Sequence, residues 1–230
     1  MTAPFEDNFD RPSSVESIPN GDDGNDSGEN AEIDAARRDE DAADSVSYLG
    51  PNWVAVRTSA WKIENGRLCG QGAHNHPVWL KRVLPVNARI EFDAIAESDN
   101  GDLKAEVWGD GRSAATGTSY TNATSYLVIF GGWKNSMQVL ARLNEHGTDR
   151  KEIRIDKDSD DPRQRPVVKG QVYRFKIERT DGKTVRWFVD DVEYLSWADS
   201  APLAGHGHDH FGFNEWEAKV CFDNVKITPL

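Results

Sequence analysis

The two ends of this 230-residue chain match one another. Asp7-Asn8-Phe9-Asp10-Arg11 stands near the N-terminus and Phe222-Asp223-Asn224-Val225-Lys226-Ile227 near the C-terminus. First and last segments that both read apolar, acidic, Asn are expected to pair as strands and close a β-sandwich. Between them, from Tyr48 on, short alternating segments recur with turn residues between and essentially no helical period. Trp61–Cys69 carries Asn65-Gly66, a strong two-residue hairpin signal. Val78–Leu84, Ala88–Glu97, Asp102–Trp108, Tyr126–Phe130, Met137–Asn144, Glu152–Asp156, Val172–Arg179, Val185–Val189, His210–Asn214 and Lys219–Ile227 follow. The expected fold class is all-β, a jelly-roll sandwich of two antiparallel sheets.

One stretch interrupts this pattern. Residues 1–12 supply the first strand, 13–47 an acidic low-complexity insertion, and 48–230 the rest of a single sandwich. The insertion has no aromatic residue and carries eleven acids against Arg37 and Arg38, so it holds −9 of the chain's net −12. That composition predicts a flexible loop, with a short helix over Ala31–Asp44. Asp23, Asn25, Ser27, Gly28 and Asp34 also fall at the one, three, five, six and twelve positions of a calcium loop. Asn30 stands where that loop takes an apolar residue, and a solvated acidic loop is the alternative.

A field of this sign argues against a nucleic-acid partner, because little here would neutralise phosphates. No apolar run reaches the roughly 20 residues that a membrane span needs, and no signal peptide is read. Cys69 and Cys221 fall in separate strand patterns and read equally as a disulfide or as two buried thiols. An extracytoplasmic or secreted location is the expectation. The sequence shows no Gly-x-Ser-x-Gly, phosphate loop or catalytic Cys–His signature.

Alternation sorts side chains by face. In Ala88–Glu97, Glu91, Asp93 and Glu97 oppose the apolar set, and in Asp102–Trp108, Lys104, Glu106 and Trp108 do so. A Trp beside a carboxylate and a Lys suits sugar binding: the indole stacks on a pyranose while charged groups bond its hydroxyls. Trp79, Trp108 and Trp216 are therefore candidate stacking platforms, with Glu106, Arg142 and Arg186 as polar contacts; the alternative is that these Trp residues cap the sandwich edge. Five of the six histidines cluster as His74-Asn75-His76 and His206-Gly207-His208-Asp209-His210. Convergence of the two clusters would build an open zinc or other divalent-metal site, with Glu145, His146 or Glu106 as a base. Asp7, Asp10 and Asp223 suit a structural calcium joining the terminal strands.

Several motifs in order carry a resemblance. Asp7-Asn8-Phe9-Asp10-Arg11, Leu49-Gly50-Pro51-Asn52-Trp53, Trp61-Lys62-Ile63-Glu64-Asn65-Gly66-Arg67-Leu68, Phe211-Gly212-Phe213 and Phe222-Asp223-Asn224-Val225 together resemble concanavalin A-like lectin/glucanase domains. Within these they are most similar to laminin-G-like and 3-keto-disaccharide hydrolase-like domains, bacterial in the nearest cases. The resemblance implies a jelly roll, often a calcium site, and glycan binding or cleavage on the concave face. Glu91-x-Asp93-x-x-x-Glu97 is similar to the carboxylate strand of the superfamily's retaining glucanases, whose two acids lie roughly 5 Å apart. Here the last Glu is displaced toward a turn, so Glu91, Asp93 and Glu106 are the catalytic candidates. The leading expectation is a lectin-like module for a polysaccharide or oligosaccharide. A metal-assisted hydrolase or lyase and a structural adhesion module are the alternatives.

Overall fold

The computed structural model describes residues 4–13 and 49–230. The acidic insertion, with its calcium-loop pattern and expected helix, lies almost wholly outside the described residues. Among these, β1 (Phe5–Asp7), β3 (Trp61–Glu64), β4 (Arg67–Gly70), β6 (Ala88–Ala96), β11 (Val172–Arg179), β12 (Thr184–Val189), β13 (Val192–Ala198) and β15 (Val220–Pro229) form one sheet. The second sheet runs β10 (Lys151–Arg154), β9 (Met137–Arg142), β8 (Tyr126–Gly131), β7 (Leu103–Gly109), β14 (His210–Asn214), β5 (Val78–Leu80), β2 (Trp53–Ala55). Each pairing is antiparallel, as in a jelly roll.

The ends meet as their sequences suggest, with Phe5 opposite Ile227 and Asp7 opposite Val225. Asn65 and Gly66 both take the left-handed backbone that a tight β3–β4 hairpin requires. Cys69 and Cys221 face each other on β4 and β15 and form a disulfide. The sheets close on an aromatic core. Phe213 stacks on Phe222 at 4.0 Å, joining the two sheets through facing side chains, and Phe92 stacks on its cross-strand neighbour Phe175 at 4.9 Å within the first sheet. β13 is a strand the sequence pattern does not reveal. Its hairpin turns on Asp190-Asp191, both left-handed at φ 49° and 64°, with no glycine to announce it.

The outward face of the second sheet is not bare. The polar segment between β7 and β8 folds back over it, bringing Ala115, Tyr120 and Ala123 against Leu127, Ile129, Val139 and Ala141. One end of the face stays open, where the β6–β7, β8–β9 and β9–β10 connections meet the loops before β5 and after β14.

Candidate functional site

At that open end lies a pocket of about 450 Å³, lined among others by Asn75, Asp102, Trp133, Glu145, His146 and Trp216. Its walls are two tryptophans, each braced by a histidine edge. His74 meets Trp216 at 4.7 Å, and His146 meets Trp133 at 5.6 Å. Arg150 adds a cation over the Trp133 ring at 4.7 Å, so that indole is held between two partners.

Trp133 owes its position to an unusual backbone. Trp133, Lys134 and Asn135 are consecutive left-handed residues, with φ of 50°, 56° and 60°. Each costs about 1–2 kcal/mol in such a conformation, so something must hold the turn. Asn135 does: its Nδ2 donates to Val167 O (2.8 Å) and its Oδ1 accepts from Val167 N (2.9 Å). Asp102 (φ 64°) is fixed in a similar way, its N–H donating to Gly131 O at 3.0 Å. Gly101 precedes it because a Cβ there would lie 2.5 Å from that same oxygen.

The floor is built around the Lys104 ammonium, which lies on the outward face of β7 and is fully buried. Nζ donates to Asn75 Oδ1 at 2.6 Å and to Glu145 Oε1 at 3.2 Å, and lies 3.9 Å from Asp102 Oδ1. Burial pulls the Lys104 pKa down, but Asp102 and Glu145 outweigh it and the pKa ends raised. Asp102 accepts the Trp216 N–H on Oδ2 at 2.6 Å, and burial nonetheless pushes its carboxyl pKa up against the pull of Lys104. Glu215, beneath the pocket, accepts from the Ala73 N–H and is pushed up to about 7, chiefly by burial. Glu145 Oε2 is buried and has no hydrogen-bond partner, although the residue lines the pocket.

The sequence-derived candidates divide sharply. Trp216 lines the pocket. Trp108 does not: β14 shifts register between His210 and Phe211, leaving Trp108 as a bulged residue at φ 54° that turns into the core. There it donates to Pro85 O at 3.1 Å and carries the Arg179 guanidinium 3.8 Å over its ring. Trp79 keeps the outward face but is fully buried against Gly109 and Gly212, donating to Ser113 O at 3.1 Å. Arg142 points inward and binds Asp199 at 2.6 Å, and Arg186 pairs with Glu193 on the other sheet. Neither reaches the pocket.

The expected catalytic acids separate too. Glu91 and Asp93 lie on β6, in the opposite sheet, where Asp93 accepts from Asn224 at 2.9 Å. Glu106 is on the expected face but sealed beneath the β7–β8 connection. Ser125, Tyr120 and Asn214 all donate to it, and burial pushes its pKa up to about 7.

The histidine clusters do not converge. His76 Nδ1 lies 2.8 Å from Ala73 O, His208 Nδ1 2.7 Å from Thr124 O, and His210 Nδ1 2.8 Å from Asp209; His206 is exposed on its loop. Asp7 does not fit the expected calcium role, because Arg11 binds both its oxygens (3.0 and 2.8 Å) and Trp53 and the Phe9 N–H donate to it as well. Asp10 accepts from Asn8, and Asp223 from the Asn224 N–H. Among the described residues no group of three or more His, Cys, Asp or Glu is placed to hold a metal ion.

The architecture has clear counterparts among solved structures. A β-glucanase from Bacillus licheniformis aligns with a TM-score of 0.56 at 9% identity, over 80% of this chain and 95% of its own. The fold is that of the concanavalin A-like lectins and glucanases. An endo-acting O-glycanase from the human gut microbiota aligns with a TM-score of 0.51 at 13% identity, over 78% of this chain and 92% of its own. No protein-family model matches this chain, and no curated protein matches it with significance.

Sequence reasoning missed Trp133, Asn75 and Asp102 as site residues and named Glu145 and His146 only as bases beside a metal. The one available signal was Gly131-Gly132 ahead of Trp133-Lys134-Asn135, a doublet that marks a turn presenting an aromatic.

Proposed function

We propose that this protein binds carbohydrate in the pocket between Trp133 and Trp216. The observation that carries this reading is the pairing of two braced indoles with a polar floor of Asn75, Asp102 and Glu145. Indole faces suit the apolar faces of pyranose rings, and carboxylate and amide oxygens suit their hydroxyls. The fold agrees, since the β-glucanase and the O-glycanase that share it act on glycans. A polysaccharide or oligosaccharide fits better than a lone sugar, because the pocket is open and has an aromatic at each side. The cross-strand disulfide supports work in an oxidising, extracytoplasmic compartment. No helix among the described residues is long and apolar enough to cross a membrane.

A glycan array followed by calorimetry on the best binder tests this. Trp133→Ala and Trp216→Ala are each expected to weaken binding about tenfold or more, since an aromatic contact is worth ~0.5–1.5 kcal/mol beyond its buried area. Binding that survives both substitutions unchanged rules the pocket out.

A further inference from the structure

The disulfide stands at the foot of one pocket wall. Cys69 and Cys221 face each other on β4 and β15 and point away from the core, which their neighbours Leu68 and Phe222 fill. The two strands are antiparallel, so the segment after Cys69 and the segment before Cys221 leave toward the same end of the sandwich. Both go directly to the pocket. Asn75 follows Cys69 by six residues, and Trp216 precedes Cys221 by five. There the segments bond to each other. The His74 N–H donates to Trp216 O at 2.9 Å, the Asn75 N–H to Glu215 O at 3.0 Å, and the Ala73 N–H to the Glu215 carboxyl. On that short ladder rest the His74 edge against Trp216 and the Asn75 Oδ1 that accepts from Lys104.

The two segments are not equally secured. β15 pairs with β6 from Val220 to Pro229, and the Trp216 N–H is held by Asp102, so the Trp216 side starts from firm structure. β4 meets β15 only at Leu68, Cys69 and Gly70, and β3 beyond it is the last strand of the described sheet. The connection from β4 to β5 bonds back to that same edge, Gln71 N–H to Ala60 O and Trp61 Nε1 to His76 O, so these bonds do not tie it to β15. A sheet edge with so few backbone bonds opens readily, and the disulfide closes it covalently at the middle rung. We infer that Cys69–Cys221 is a positioning link for the pocket: the oxidised chain holds His74 and Asn75 against the Trp216 segment and binds glycan, and the chain with two free thiols binds it weakly. The inference rests on the carbohydrate reading above and adds its regulation, because oxidation completes the site. In that step the two Sγ atoms join, and their two protons and two electrons pass to a disulfide oxidant, which becomes two thiols. Before it, the aromatic core closes the sandwich while one pocket wall stays loose.

The test uses the full chain and, as its probe, the strongest ligand that the oxidised protein shows on a glycan array. Paired Cys69→Ser and Cys221→Ser substitutions should raise Kd about tenfold, the cost of re-ordering Trp216 and Asn75 at about threefold each. Hydrogen exchange at the His74 and Asn75 amides should quicken about tenfold or more relative to the amides of β8. Wild type refolded in dithiothreitol should match the variant and recover its affinity once oxidised glutathione restores the bond, which separates the link from any effect of the serines. Trp108→Ala, destabilised inside the core, should keep the wild-type Kd, so the assay does not simply read a loss of stability. A disulfide-free protein that binds within about twofold of the oxidised one overturns the inference and leaves the binding reading standing. Unfolding of the whole chain in both the serine and the reduced form also overturns it, since the bond would then hold the sandwich rather than the pocket. An oxidised protein without a pocket-dependent glycan ligand overturns the binding reading. The exchange comparison still decides the link in that case, and unchanged exchange at His74 and Asn75 sinks it.

Discussion

Replacing Glu106 by Gln should change how stability depends on pH, by an amount the surroundings of this carboxyl allow to be worked out. Glu106 is 0% exposed, and burial raises its pKa from 4.5 to about 7. It does so despite hydrogen bonds from Ser125 Oγ (2.6 Å), Asn214 Nδ2 (2.7 Å) and Tyr120 OH (3.1 Å) and the field of Lys104. Between pH 4.5 and 7 the folded chain therefore holds a proton that the unfolded chain releases. The stability this contributes is fully present below about 4.5 and is lost as pH rises through 7. At ~1.4 kcal/mol per unit the loss amounts to roughly 3 kcal/mol. A Gln side chain fits the same network. Asn214 Oδ1 is committed to the Glu215 N–H, so its Nδ2 must donate to the new carbonyl. The new NH₂ then faces two hydroxyls that can rotate to accept it. Urea unfolding of both proteins from pH 4.5 to 8 measures the difference. Wild type and Glu106→Gln should agree within about 1 kcal/mol at the acid end. The variant should be the more stable by roughly 2–3 kcal/mol at pH 8. Glu215 titrates over the same range in both proteins and cancels in the comparison. A stability difference that is flat with pH refutes the burial argument.

Three further outcomes follow from the packing. Breaking Cys69–Cys221, which are 152 residues apart, with paired Ser substitutions should cost up to about 5 kcal/mol by loop-closure entropy, read as a fall in the urea midpoint. Trp108→Ala should cost about 3–5 kcal/mol, typical for truncating a buried aromatic, and leave glycan affinity unchanged in whatever fraction folds. A loss of affinity without a loss of stability would return Trp108 to the site. Asn135→Ala removes the clamp on Val167. It should lower Tm and also weaken glycan binding, because the Trp133 turn has no other side chain bridging it to Val167.

What was legible in the sequence is what is local or periodic. The pairing ends, the Asn65-Gly66 hairpin and strands such as β11 and β14 were readable because alternation and turn chemistry act over a few residues. The site was not. Its walls and floor come from Asn75, Asp102, Trp133, Glu145 and Trp216, residues in five separate connections that only the closed sandwich brings together. Alternation even misled at Trp108, because one extra residue in β7 against β14 reverses the side to which every later side chain points. At Glu106 it gave the right face, but could not show that the Ser/Thr-rich connection would fold down over it.

The distribution of strain argues which groove is the functional one. Four of the thirteen left-handed non-glycine residues among the described residues line the pocket, Asn75, Asp102, Trp133 and Lys134, and two more, His74 and Asn135, adjoin them in the chain. The same place concentrates a buried ammonium, two buried carboxyls with raised pKa and a carboxylate oxygen without a donor. The strained residues and the unpaired oxygen oppose stability, by about 1–3 kcal/mol each. A second groove, on the other sheet, is lined by Glu91, Asp93, Arg174, Asn224 and Lys226. There Arg174 pairs with Asp93 and Lys226 with Glu6, and Asn224 donates to Asp93. Only Asn224 among its lining has a left-handed backbone. That groove is what an ordinary charged sheet surface forms when its rungs pair across strands. The pocket is not explained that way, because a fold selected for stability alone would have no reason to gather its costly groups at one opening. The acids on β6 therefore belong to the sheet's surface chemistry, and the search for a ligand belongs at Trp133 and Trp216.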